Sequence, residues 1–205
     1  MRTTLLALAL LSSAPVFAAD AAKVERIESG NRVSENLPAI PGELLERLNQ
    51  YQNTRGASFQ GWIDNGSMLI ASMVDYHNRI RAGIDVVGIS HFTTFLTNTE
   101  SYRRDLRRAE YGDERIPEMR AFHEKIAPLN NAKSITSPLF VAQGFNDPRV
   151  PYTEAEQIVK AVRGNGGDVW YLMYKDEGHG FAKKANNDYF GAASMVFWQK
   201  YLLEK

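Results

Sequence analysis

The chain contains no cysteine. That excludes disulfide cross-links, a thiol nucleophile and thiolate metal sites. An excess of charge is also missing: 24 Lys and Arg balance 24 Asp and Glu. Nothing in that balance asks for nucleic acid or an anionic membrane surface as a partner. No apolar run approaches the ~20 residues that a bilayer span requires. His77 and His123 stand on expected helices with no partner at ligand spacing, so neither a metal nor another cofactor is expected. No internal repeat and no low-complexity tract occurs.

What is present is ordinary for a globular chain of 205 residues: 44% hydrophobic and 23% charged. The N-terminus has the layout of a secretory signal peptide. Arg2 gives a positive start, Leu5 to Leu11 an apolar core, and Val16-Phe17-Ala18 before Ala19 a small-residue cleavage site. Cleavage after Ala18 and delivery to the periplasm or exterior are the expectation.

Asp20 to Gly42 reads as polar and irregular, with Pro38 and Pro41 stiffening it. Glu43 to Gln52 places Leu44, Leu45 and Leu48 on one side of a short helix. Trp62-Ile63, Asp64-Asn65-Gly66 and Met68-Leu69-Ile70 read as strand, tight turn and strand, because Asn-Gly tolerates positive φ. Beyond this the pattern alternates. Ser72 to Arg81 is an expected helix and Gly83 to Ile89 a strand rich in β-branched residues. Tyr102 to Glu110 is a helix whose interleaved charges describe an ion-paired solvated face. Pro117 opens a helix that runs to Ile126. Leu139 to Gln143 is a second strand, and Glu154 to Arg163 a helix capped by Thr153. Val169 to Tyr174 is a third strand, and Ala192 to Leu203 a last amphipathic helix. Strands alternating with helices predict a parallel sheet in an α/β fold.

The chemistry concentrates between Ser137 and Phe181. Two apolar strands there each run into a polar turn. The first carries Asp147, in Gly144-Phe145-Asn146-Asp147-Pro148-Arg149-Val150-Pro151. The second carries His179, in Gly178-His179-Gly180-Phe181. An acid followed by a histidine on successive strand-end loops is the order of the last two members of an α/β-hydrolase triad. A buried carboxylate in that position fixes the imidazole tautomer and supports its protonated form.

Residues 72 to 203 resemble the C-terminal catalytic domain of the prolyl oligopeptidase family of serine peptidases, in the dipeptidyl and acylaminoacyl peptidase branch. The likeness rests on the run Arg81 to Ser90, on Tyr102 to Arg108 and on Tyr111-Gly112-Asp113-Glu114-Arg115. It continues through Ala127-Pro128-Leu129-Asn130, Gln143 to Pro151, and Asp176 to Phe181. It implies an exported enzyme that hydrolyses short peptides by acyl transfer, with Asp147 and His179 as the catalytic acid and base and a peptide as substrate.

One part of that pattern is missing. The family's G-x-S-x-G elbow holds the nucleophile, and no G-x-S-x-G occurs in this sequence. Laid on without gaps, the elbow falls on Gly61 to Asn65, with Ile63 in the place of serine. Isoleucine has no nucleophilic atom. In a second reading, residues 31 to 70 resemble the start of the same enzymes, where the chain enters a β-propeller. The sequence then joins two ends of a longer peptidase near Met68 to Met73. Ser67, Ser72 and Ser90 lack the flanking glycine pair. The expected organisation is a signal peptide at 1–18, a propeller-like segment with a short β-hairpin remnant at 19–70, and an incomplete α/β-hydrolase domain at 71–205 with three to four parallel strands. Its strand at Ile84 to Ile89 is expected to form an exposed edge open to association. Two functions are implied: a peptidase lacking its nucleophile, or a non-catalytic remnant that partners an intact homologue.

Overall fold

The structure is a computed structural model and describes residues 24–51 and 66–203. The expected signal peptide and residues 62–65 of the expected hairpin lie outside that range. Five strands form one mixed sheet: β1 (Arg26–Ser29), β2 (Arg32–Glu35), β3 (Gly83–Val86), β4 (Leu139–Gly144) and β5 (Val169–Tyr174), in the order β1-β2-β5-β4-β3. β3, β4 and β5 are parallel, and β1 and β2 join antiparallel beside β5. The helices are α1 (Gly42–Tyr51), α2 (Gly66–Asp75), α3 (Phe92–Asn98), α4 (Ser101–Tyr111), α5 (Pro117–Ile126), α6 (Tyr152–Gly164) and α7 (Lys184–Trp198). This is the partial α/β-hydrolase arrangement that the sequence predicts.

The central strands explain the layering. β5 reads Val-Trp-Tyr-Leu-Met-Tyr and is buried along its whole length, as expected for a strand covered on both faces. Alternate side chains serve opposite layers. Val169, Tyr171 and Met173 join Leu139 and Val141 of β4 under Ile70 and Met73 of α2 and Ile158 and Val162 of α6. Trp170, Leu172 and Tyr174 join Phe140 and Ala142 against Ala193 and Phe197 of α7. The Phe197 ring lies 5.2 Å from Trp170 and 5.7 Å from Phe140. Each such fully buried side chain contributes roughly 1.5–3 kcal/mol.

Several sequence-based expectations are corrected here. Residues 26–35 are not irregular: they form a hairpin, turned at Gly30 with φ +59°. Its strands are polar enough to read as loop, but their polarity is used in pairs. Arg26 stands across from Glu35 and donates to it at 2.7 Å, and only Val33 enters the core. Met68 to Ile70 is not a strand. Leu69, Ile70 and Met73 recur at helical spacing, and α2 lays Met73 and Leu69 against Gly83, where any side chain would collide with the Met73 sulfur. Thr153 does not cap α6; Pro151 holds that position and the Thr153 hydroxyl is buried without a partner. α7 begins at Lys184 rather than Ala192, because its polar first half buries Asn186 and Asp188. His77 lies in the turn that follows α2.

β3 ends at Val86 instead of Ile89. Val87 adopts φ +53°, a left-handed conformation that opposes a β-branched residue and breaks the strand. The chain then folds back so that a Cβ at Gly88 would stand 2.2 Å from an Asp85 carboxylate oxygen. Asp85 is fully buried, and among the described residues neither of its oxygens has a hydrogen-bond partner. Burial raises its carboxyl to about 7. No described strand pairs with the outer side of β3. The Gly83 and Val87 N–H groups bond toward β4, so those of Ile84 and Val86 face outward.

A raised carboxyl binds its proton more tightly folded than unfolded. Its contribution is therefore complete near the unfolded carboxylate range, about 4, and is lost as pH rises through 7. Asp85→Asn cannot ionise. Its melting temperature relative to the native chain should climb from pH 5 to about pH 7 and level off above it, in thermal unfolding followed by circular dichroism. A difference that stays constant over that range would contradict the assignment.

Candidate active site

Asp147 and His179 lie far apart in sequence and meet because β4 and β5 are parallel neighbours. Gly144 is paired with Tyr174 at the ends of the two strands, so the loops that leave them start side by side. Three hydrogen bonds then join the loops. The Phe145 N–H donates to the Tyr174 carbonyl at 2.9 Å, the Asn146 N–H to the Glu177 carbonyl at 2.9 Å, and the Asn146 side chain to the Lys175 carbonyl at 2.8 Å. The approach is so close that a Cβ at Gly144 would lie 2.1 Å from the Gly178 carbonyl oxygen. Only glycine fits there.

In this frame the two candidate residues form a directed pair. The Asp147 carboxylate is wholly buried, whereas the His179 imidazole is one-third exposed. One Asp147 oxygen accepts the backbone N–H groups of Arg149 at 2.8 Å and Val150 at 3.1 Å. The other lies 2.8 Å from His179 Nδ1 and accepts from the Gln143 amide at 3.3 Å. An ionised carboxylate only accepts, so His179 Nδ1 carries the proton and Nε2 is left with a free lone pair. No described residue bonds Nε2. The arrangement can take up a proton at Nε2 and stabilise the resulting charge through Asp147.

Glu177, which the sequence reading passed over, holds the histidine loop from the other side. It is buried and accepts the N–H groups of Ala182 and Lys183 at 3.1 and 2.9 Å and the Asn186 amide at 2.7 Å, tying the loop to the start of α7. Asn31, in the turn of the N-terminal hairpin, braces the same loop. Its amide donates to Asp176 at 2.5 Å and its carbonyl accepts the Lys175 N–H. Glu177 carried no local signal, because the sequence places the last helix at Ala192 and not at Lys184. The signal for Asn31 was nonlocal and could not be read.

The other polar candidates are engaged elsewhere. Ser90 is fully buried and donates to Glu154, whose carboxylate also accepts the N–H groups of Ser90 and His91. Burial raises the Glu154 carboxyl while the hydrogen bonds from Thr94, His91 and Ser90 oppose that shift. His91 Nε2 pairs with Glu124 at 3.0 Å, and His123 is buried against the Tyr111 carbonyl. The basic helix α4 is ion-paired as expected. Arg108 forks onto Glu114, and Arg107 bonds Glu110. Among the described residues no serine hydroxyl bonds His179.

The sequence pattern of the Prolyl oligopeptidase family matches residues 44–205. The chain belongs to the prolyl oligopeptidase family. Dipeptidyl aminopeptidase BIII of Pseudoxanthomonas mexicana is 37% identical over 118 residues, which cover 56% of this chain. Dipeptidyl peptidase family member 6 of Caenorhabditis elegans is 36% identical over 109 residues, or 51% of this chain. These matches span only 17% and 15% of the relatives' own length. A puromycin-hydrolyzing peptidase of Mycobacterium tuberculosis superposes with a TM-score of 0.60 at 24% identity, covering 67% of this chain and 20% of that one. The acylaminoacyl peptidase of Pyrococcus horikoshii gives 0.60 at 20% identity, covering 67% and 22%. These structures carry the likeness of fold to the α/β-hydrolase peptidases.

The geometry predicts a spectroscopic signature. An imidazole N–H donated to a buried carboxylate is sheltered from exchange, so the chain should show one slowly exchanging downfield His179 proton in its NMR spectrum. Both Asp147→Ala and Gly144→Ala should abolish it, the second by forcing the two loops apart. Its survival in Gly144→Ala would show that the close approach of the loops does not place the pair.

Proposed function

We propose that this chain carries the acid–base half of a serine-peptidase site. Asp147 acts as the orienting acid and His179 as the base, and the chain alone does not hydrolyse peptides. The single observation behind this reading is the His179–Asp147 pair, with Nδ1 held by a buried carboxylate on an imidazole that is one-third exposed. Family membership supports short peptides as the substrate class of the parent architecture. In that architecture a serine would lose its proton to Nε2 while attacking the peptide carbonyl, and Nε2 would then protonate the departing amine. No G-x-S-x-G is present to supply such a serine. The N-terminal layout supports export to the periplasm or exterior, so the site would work in an oxidising compartment, which a cysteine-free chain tolerates.

A second reading is favoured by one structural feature. β3 ends the sheet with the N–H groups of Ile84 and Val86 directed outward. An open edge of that kind takes up an added strand. The chain then acts as a non-catalytic partner of an intact homologue.

Both readings are tested with the purified chain, after circular dichroism has established that it is folded. A fluorophosphonate probe should leave it unlabelled. Covalent labelling that disappears in His179→Ala would overturn the inactive assignment. Light scattering separates the second reading from the first. Association that Ile84→Pro abolishes while the fold persists supports use of the edge, and a chain that stays monomeric, alone or mixed with an intact homologue, rejects it.

A further inference from the structure

Away from the strand ends that hold Asp147 and His179, the sheet carries a cavity of about 320 Å³ between the N-terminal hairpin, β5 and α6. It lies at the level where Glu35 of β2 pairs with Tyr171 of β5, and reaches Arg163, whose guanidinium bonds the Val169 carbonyl at the start of β5. Arg26, Glu35, Glu156, Lys160, Arg163 and Tyr171 supply its polar lining.

Two of those residues hold buried donors with no hydrogen-bond partner among the described residues. The Tyr171 hydroxyl is buried and has no hydrogen-bond partner, although the residue itself is only 3% exposed. The Nε of Arg163 is buried and unpartnered as well. Burial, with the charges of Glu156 and Glu35 beside it, holds the Tyr171 hydroxyl firmly protonated, so it acts as a donor. Buried orphan donors are rare because each costs free energy unless an acceptor arrives. The cavity is far larger than the roughly 30 Å³ share of one water.

The charges point the same way. Glu35 accepts from both Arg26 and Arg163, which fixes the two guanidiniums on one carboxylate. Lys160 is exposed at the cavity and forms no ion pair among the described residues. Glu156 is hindered from ionising, first by burial and then by Glu35, while Arg26 favours its charge. Three cations against two carboxylates leave one positive charge, and the orphan groups are donors. The missing partner is therefore a hydrogen-bond acceptor, and the net positive lining accommodates one that is negatively charged. Val159 and the Tyr171 ring add apolar wall beside these groups.

We propose that this cavity binds a small oxyanion, a carboxylate or a phosphate group, which accepts from the Tyr171 hydroxyl and faces Lys160 and Arg163. The site does not depend on peptidase activity, because it lies on the lateral half of the sheet and uses none of the residues around His179.

The test is calorimetric titration of the full chain with inorganic phosphate and, separately, with benzoate, a carboxylate on a flat apolar body. Saturable binding of either is expected. Binding of both marks recognition of the oxyanion alone, and binding of benzoate only marks a carboxylate whose body uses the Val159 and Tyr171 wall. Tyr171→Phe should weaken binding about tenfold, the usual effect of losing a hydrogen bond to a charged group. Its melting temperature should not fall, since the hydroxyl has no partner to lose. Lys160→Gln should weaken binding several-fold, more at low salt. Lys125→Gln, on α5, should change nothing. No saturable binding of either anion, or affinity unchanged in both Tyr171→Phe and Lys160→Gln, would overturn the proposal.

Discussion

The parallel pairing of β4 with β5 is the contact on which the rest depends. Among the described residues it is the only pairing in which both strands are buried from end to end, and both hydrophobic layers are built on it. It also sets the position of the chemistry. Side chains at the ends of parallel neighbours emerge in the same direction, so their loops must share space. Here they share it at a backbone separation that excludes any residue but glycine at 144. Asp147 and His179 thus inherit their 2.8 Å contact from the register of two buried strands. A one-residue slip in that register would exchange the two faces of β5 and break the pair together with the core.

Belonging to a peptidase family and performing peptide hydrolysis are separate matters for this chain. The histidine is oriented, its acid is buried and saturated with donors, and the loops are braced by Glu177 and Asn31. Such second-layer support is what a proton-transfer site needs. The site can therefore stay preorganised whether or not a nucleophile is delivered to it. Asp85 gives the sheet edge a different character. It is a buried carboxyl without partners among the described residues, two positions before a β-branched residue in a left-handed conformation. Strain of this kind persists only where surrounding structure enforces it.

The sequence disclosed the parts of the fold that follow a periodicity. The apolar runs at 139–144 and 169–174 are unambiguous because strands buried on both faces have no polar positions. Asp147 and His179 were legible through order, spacing and turn chemistry. The N-terminal hairpin was not, because its stability comes from cross-strand ion pairs such as Arg26 with Glu35 and from one buried valine. No local window shows those contacts. The segment at 68–70 was misread because a short apolar run after Asn-Gly serves a strand or a helix equally well, and only packing on Gly83 decides. Tyr171 stands in an apolar run, and nothing local reveals that its hydroxyl has no partner among the described residues.

The hairpin's place beside β5 also governs the order in which the molecule can assemble. Val33 of β2 meets its partner on β5 as far along the chain as Met173, whereas β4 meets β5 across a single helix and its loops. Closing the longer loop costs more chain entropy before any contact repays it. The C-terminal βαβ unit is therefore the natural nucleus, and the N-terminal hairpin joins it later. Until then β5 waits with a bare flank, and the chain is most vulnerable to pairing with a neighbour at the moment its own core is nearly complete.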